Sequence, residues 1–289
     1  MKFSFIIGTL NRSRELKYSI ESLLAQNYKD FEIIIIDQSN NNLTKELVDS
    51  FDKKNIIYEH VRFRGLSKAR NYAINIASGE YICLTDDDAW YAPDYLSVLK
   101  SHYEKQQIKL VSGYMWDAVN KQDFIDYSKL KNEQKLSVRE IIRKCPSPAI
   151  TFPKCIVKEI GGFDENFGVG AKYGAGEETD FLLRAFWIKY DVIYCEDVKV
   201  QHPHEYAMIA VDENAENRKA FNYPYGIGAM YKKQFVLGDK KKMIYPYVEQ
   251  LLKMKVKKIL HKSRAKLVLK RFQEGFDSYN KDFEREKIK

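Results

Sequence analysis

Apolar residues open the chain as a short block, Phe3 to Ile7, and then change rhythm. Leu16, Ile20, Leu23 and Leu24 recur at the spacing of one helix face, with Ser13 as the expected cap. Phe31 to Ile36 contains four successive isoleucines, which suits a strand covered on both faces. The alternation continues with a helix near 44–51, a strand near 56–61, a helix over 66–77 and a strand over 81–84. A helix after Pro93 then leads to a strand near 110–116. Strands alternating with helices predict an α/β domain with a mostly parallel sheet and helices on both faces. Between 120 and 175 the pattern loosens. Prolines 146, 148 and 153 and glycines 161, 162, 168, 170, 174 and 176 predict loops that shape a pocket. Regularity returns with a helix from Glu177, apolar at Phe181, Leu182, Ala185 and Phe186, and a strand over 192–200.

The tail has a different composition. Lys253 to Arg271 holds nine Lys or Arg, one His and no acid, with Leu252, Val256, Ile259, Leu260, Leu267 and Val268 interleaved. This predicts a basic helix, suited to an anionic membrane surface. No nucleic-acid motif accompanies it, so nucleic acid is not an expected partner. The net charge of +8 fits an anionic ligand, and 45% apolar with 30% charged residues predicts a globular chain. Cys83, Cys145, Cys155 and Cys195 show no C-x-x-C pairing, which argues against a zinc ribbon or a dense disulfide framework. The first apolar run is cut short by Asn11-Arg12-Ser13-Arg14, unlike a signal peptide. The expected location is cytoplasmic, extending to the inner face of the cell membrane through the tail.

The chemistry concentrates at strand ends. Asp86, Asp87 and Asp88 follow the strand at 81–84. In an extended segment Asp86 and Asp88 share one face, and Asp87 points elsewhere. Two carboxylates there are hard oxygen ligands for Mg²⁺ or Mn²⁺, which could neutralise a diphosphate. The competing reading is a solvated acidic turn. Position favours the metal, because open α/β sheets bind ligands outside the carboxyl ends of their strands. Thr9, Asn11 and Arg12 follow the first strand, and Asp37 and Ser39 the second. Asp37 can accept from a base N–H. Gly65 permits close backbone approach, the following helix N-terminus favours phosphate, and Arg70 can bind phosphate through two N–H groups. The lack of a G-x-G-x-x-G after the first strand counts against a Rossmann dehydrogenase.

Five ordered blocks, "FIIGTLNRSRELKYSIESLLAQNY", "EIIIIDQSN", "RGLSKARNYAINIASGEYICLTDDDAW", "GGFDENFG" and "GAGEETDFLLRA", resemble the signatures of family 2 glycosyltransferases over residues 2 to 205. The resemblance implies a GT-A fold and sugar transfer from a nucleotide-sugar with inversion. It implies a GT-A domain over 1–238, its nucleotide-binding part being 1–118 and its acceptor-binding part 119–238. Residues 239–289 form the basic helical extension.

Carried over by position, the resemblance places Thr9, Asn11 and Arg12 in the nucleotide pocket. It puts Asp37 on the uracil ring with Ser39 beside it, and Arg70 near the diphosphate. Asp86 and Asp88 match the metal-binding pair, Asp86 and Asp87 being counted with the nucleotide-sugar contacts. His202, ahead of His204, is the expected further ligand of Mn²⁺ or Mg²⁺. The family usually has Glu-Asp where this chain has Glu177-Glu178, with Asp as general base. Candidates for the base are Glu178, then Asp180, then Glu177, against the plain reading of an acidic helix N-terminus. Asp164 either touches sugar hydroxyls or caps a turn. Ser147 to Thr151 sits where the family shapes its acceptor pocket, and Trp90 is a stacking candidate. The expected activity is inverting hexosyl transfer from a UDP-sugar to a saccharide acceptor, lipid-linked in a capsule or O-antigen type of pathway. The rivals are a sugar nucleotidyltransferase and a non-catalytic basic module for membrane or nucleic acid.

Overall fold

The computed structural model describes all residues except 107, 118–119, 124, 204–212, 261–263 and 280–289. Strands β1 (Phe3–Thr9), β2 (Phe31–Asp37), β3 (Ile56–His60) and β4 (Tyr81–Thr85) form a parallel set in the order β3-β2-β1-β4. Between them run helices α1 (Ser13–Leu24), α2 (Leu43–Asp49) and α3 (Leu66–Ile76). Ser13 is the first helical residue of α1 rather than its cap, a position held by Arg12.

The isoleucine run explains how the sheet is covered. Ile34 and Ile36 join one core with Ala69, Ala73 and Ile74 of α3, while Ile33 and Ile35 join another with Leu16, Ile20 and Leu23 of α1. Successive side chains on a strand point to opposite faces, so every position is buried. Each isoleucine removed from water contributes roughly 1.5–3 kcal/mol.

The second half of the sheet is mixed rather than mostly parallel. The short β5 (Trp90–Tyr91) and helix α4 (Tyr95–Lys105) lead to β6 (Leu110–Asp117). The two-residue β7 (Gln122–Asp123), β8 (Glu133–Lys135) and helix α5 (Val138–Lys144) follow. Strand β9 (Ile150–Pro153) then enters antiparallel between β4 and β6. After α6 (Val157–Ile160) and α7 (Glu177–Trp187), β10 (Val192–Gln201) pairs parallel with β6. Because β9 is antiparallel to both neighbours, β4, β6 and β10 all run the same way. Thr9, Asp37, Asp86 and His202 therefore lie together on the side of the sheet where these strands have their carboxyl ends.

Among the described residues, three helices follow β10: α8 (Glu213–Leu237), α9 (Lys240–Leu260) and α10 (Arg264–Ser278). The basic tail is thus two helices around residues 261–263. Met243, Met254, Leu269, Phe272 and Tyr279 belong to the same core as α7. Helices α8 and α10 touch backbone to backbone. A Cβ on Gly228 would collide with the Phe272 carbonyl, and one on Gly275 with that of Tyr225.

Candidate active site

The acidic triplet is a tight turn, closed by the Ala89 N–H donating to the Asp86 carbonyl at 3.2 Å. The turn gives each of its three carboxylates a different set of partners. Asp87 is buried, accepting from the Thr9 hydroxyl at 2.8 Å and pairing with Arg12 Nη1 at 2.7 Å. Asp88 pairs with Arg12 Nη2 at 2.6 Å and with His202 Nε2 at 2.9 Å. Asp86 pairs with Arg70 Nη2 at 3.3 Å and is the most exposed of the three side chains.

These contacts explain the proton affinities. Burial pushes Asp87 up to about 7 against the pull of Arg12, with Asp88 adding to the rise. Burial also works against the charged form of Asp88, but His202 and Arg12 hold it well below the usual carboxylate range. His202 is raised despite its burial, because Asp88 and Asp86 favour the imidazolium.

Asp86, Asp88 and His202 each offer a ligand atom, and these atoms lie within 4.8 Å of one another. Two carboxylates and an imidazole are a donor set suited to Mn²⁺ or Mg²⁺. A bound divalent cation would replace the proton that His202 shares with Asp88. His202 reaches the cluster through register, since its N–H donates to the Trp116 carbonyl at 3.0 Å just beyond the β10–β6 pairing. His204 lies outside the described residues.

Arg70 joins the two halves of the site. It is 1% exposed and donates to Glu177 Oε1 at 3.1 Å, to Asp86 and to the Ser147 hydroxyl. Its guanidinium therefore holds two carboxylates in place rather than lying open to phosphate. Glu178, the next residue, is half-buried. Burial and the Glu177 carboxylate push it up to about 8, with Arg70 acting in the opposite direction. Tyr223 of α8 is 39% exposed and close enough to feel the same carboxylates. Desolvation and the charges of Glu177, Asp86, Glu178 and Asp88 raise its hydroxyl pKa.

Several expected site residues have other partners. Asp180 is fully buried, accepting from Arg184 Nε at 2.9 Å, Lys233 Nζ at 3.0 Å and Gln234 Nε2 at 2.7 Å. A carboxylate so enclosed cannot reach an acceptor hydroxyl. Asp164 is 4% exposed, pairs with the same Lys233 at 2.9 Å and accepts from the Asn166 N–H at 3.0 Å, as a turn cap does. Asp164, Lys233, Asp180 and Arg184 form a buried row of alternating charge that fastens α8 to α7. Asp37 is also fully buried, accepting from the Ser39 N–H and the Tyr58 hydroxyl. Ser39 in turn accepts from the Asn11 N–H at 2.8 Å, so Asp37 steadies the loop that carries Arg12.

Other expectations fall nearer the cluster. Trp90 is half-buried, pairs with Gln201 next to His202 and meets Tyr18 edge to face. Of the 147–151 run, Ser147 reaches the cluster, while Pro148 to Thr151 are buried. The N-terminus of α3 is covered, because Leu66 N–H donates to the Val169 carbonyl at 2.9 Å. Sequence reasoning missed Lys233, Gln234 and Tyr223, all on α8. Pro224, Gly226 and Gly228 had masked the helical pattern there.

Comparison with known proteins is consistent with this arrangement. The profile of glycosyl transferase family 2 matches residues 4–154. The glucosyl-dolichyl phosphate glucuronosyltransferase of Haloferax volcanii is 26% identical over 216 residues, covering 70% of this chain and 69% of that protein. The Escherichia coli UDP-Glc:alpha-D-GlcNAc-diphosphoundecaprenol beta-1,3-glucosyltransferase WfaP is 34% identical over 95 residues, covering 32% of this chain and 38% of that one. The crystal structure of S. aureus TarS 1–349 in complex with UDP-GlcNAc superposes with a TM-score of 0.61 at 16% identity, covering 96% of this chain and 91% of TarS. That likeness shows the GT-A fold.

Proposed function

The chain belongs to glycosyl transferase family 2, and from that premise we propose that it is an inverting transferase moving a hexose from a UDP-sugar to a saccharide hydroxyl. The observation that carries this reading is the convergence of Asp86, Asp88 and His202 within 4.8 Å at the strand ends. Asp86 and Asp88, with His202, would hold Mn²⁺ or Mg²⁺. When bound, such an ion supplies positive charge that offsets the departing diphosphate.

The residues divide the remaining work. Arg12 fixes Asp87 and Asp88, and Arg70 fixes Asp86 and Glu177. Glu178 is the general base, Asp180 being enclosed and Glu177 neutralised by Arg70. Its carboxylate takes the proton of the acceptor hydroxyl as that oxygen attacks the anomeric carbon. The new C–O bond forms as the bond to UDP breaks, and the electron pair leaves with UDP. A single displacement of this kind inverts the anomeric centre. The names of both relatives describe lipid-linked acceptors, which supports a lipid-linked saccharide of the bacterial surface-polymer type here.

The test is nucleotide release from a panel of UDP- and GDP-sugars with Mn²⁺ and a saccharide acceptor. Release of UDP that is lost in both Asp86→Ala and Asp88→Ala is the expected result. Undiminished turnover in both variants would remove the metal assignment. Pyrophosphate release would identify a nucleotidyltransferase instead.

A further inference from the structure

Helix α9 presents an apolar stripe to solvent. Ile244, Val248, Leu252 and Val256 follow one another at four-residue steps and are 52, 44, 56 and 54% exposed, with Tyr245 beside them at 62%. Four-residue steps advance about 40° each around a helix of 3.6 residues per turn, so these side chains form one face. The opposite side, with Met243 and Met254, is buried in the core. Lysines border and interrupt the exposed face: Lys240, Lys241, Lys242, Lys253 and Lys255 are all exposed. The helix has seven lysines and one acid, Glu249, and that acid is paired with Arg139, Arg143 and Lys253. Among the described residues, no helix is long and apolar enough to cross a membrane.

We infer that α9 is an interfacial helix that docks this protein on an anionic lipid bilayer. Exposed aliphatic side chains flanked by lysines suit a headgroup boundary, where apolar groups enter the acyl region and ammonium groups meet lipid phosphates. Charge excludes a second copy of the same face as occupant, because two such lysine-rich helices repel. The stripe begins about two turns before the basic run that sequence composition singles out. None of its residues is among those assigned to transfer, so docking is tested separately from the proposed reaction.

The experiment is co-sedimentation of the full chain with vesicles of phosphatidylglycerol and phosphatidylcholine, and with phosphatidylcholine alone, at low and high salt. Binding is expected only to the mixed vesicles and is expected to weaken with salt. Lys241→Glu with Lys255→Glu should weaken it at least about 25-fold, at about fivefold per lysine. Leu252→Ser with Val256→Ser should weaken it about tenfold. Both variants should keep the wild-type unfolding temperature and UDP release with a soluble acceptor, which shows that they fold. Equal binding to neutral vesicles, or variants that bind like wild type, would overturn the inference. So would a dimer in vesicle-free solution that the Leu252→Ser/Val256→Ser protein fails to form, since the stripe would then belong to a second copy.

Discussion

Replacing Glu178 by Gln tests the general base through two separate readouts. In the folded protein burial and Glu177 push this carboxyl up to about 8. An acid of that strength is roughly 1% ionised at pH 6, 9% at pH 7 and 50% at pH 8. A base must be ionised to accept a proton, so kcat/KM should rise about ninefold from pH 6 to 7 and about fivefold from 7 to 8. Above that it should level off. Glu178→Gln keeps the size of the side chain but cannot take the proton, and should lower kcat by about 10²–10⁴ with nucleotide affinity unchanged. Stability gives the second readout. Between the ordinary glutamate value of 4.5 and about 8 the folded state binds more protons than the unfolded chain. Stability contributed by this group therefore falls as pH rises through that window. Glu178→Gln removes the dependence, so the variant should gain on wild type at pH 8 relative to pH 5 in thermal unfolding. A flat activity profile from pH 6 to 9, together with a pH-independent difference in Tm, would refute the assignment.

Other consequences can be measured directly. Arg12→Ala leaves Asp87 and Asp88 without their guanidinium. Because Arg12 is itself 32% exposed, the cost should sit near the low end of the buried-pair range, about 3 kcal/mol, read as a lower urea midpoint at unchanged m. Lys233→Ala uncovers Asp164 and part of Asp180 and should cost about 3–5 kcal/mol. Adding Asp164→Asn to it should recover part of that loss in a double-mutant cycle, and strict additivity would argue against the pairing. Gly228→Ala drives a methyl group into the Phe272 carbonyl and should cost about 1–3 kcal/mol by overpacking. A neutral result there would mean α8 and α10 can separate without loss.

The first half of the fold was legible because its signals are local. A run of four β-branched isoleucines in so short a segment suits a strand buried on both sides, and the Asp triplet stands directly after a strand. Even there, strand alternation, the reason for grouping Asp86 with Asp88, does not describe the segment, which is a turn. In that turn Asp87 is held by Thr9 and Arg12, while Asp86 and Asp88 offer atoms within 4.8 Å of each other and of His202. The second half depends on distant partners. Strand β9 is four residues ending in proline, and its place between β4 and β6 comes from pairing alone. Asp180 stands second to Glu178 as a candidate base on sequence, since both lie in the first turn of α7. Which one faces the core was decided by Lys233 and Gln234, more than fifty residues onward in the sequence.

The stacking of α7, α8 and α10 also bears on synthesis. Glu177 and Glu178 ride on α7, which α8 anchors through Lys233, and α8 is clamped by α10 through Gly228 and Gly275. During translation the parallel strands β1 to β4 can assemble as soon as they emerge, whereas α7 waits for two later helices before its buried charges are matched. The nascent chain thus acquires its parallel scaffold well before Glu177 and Glu178 are held in place. Protease resistance of stalled chains should appear in that order, first over residues 3–105 and only with α10 over α7.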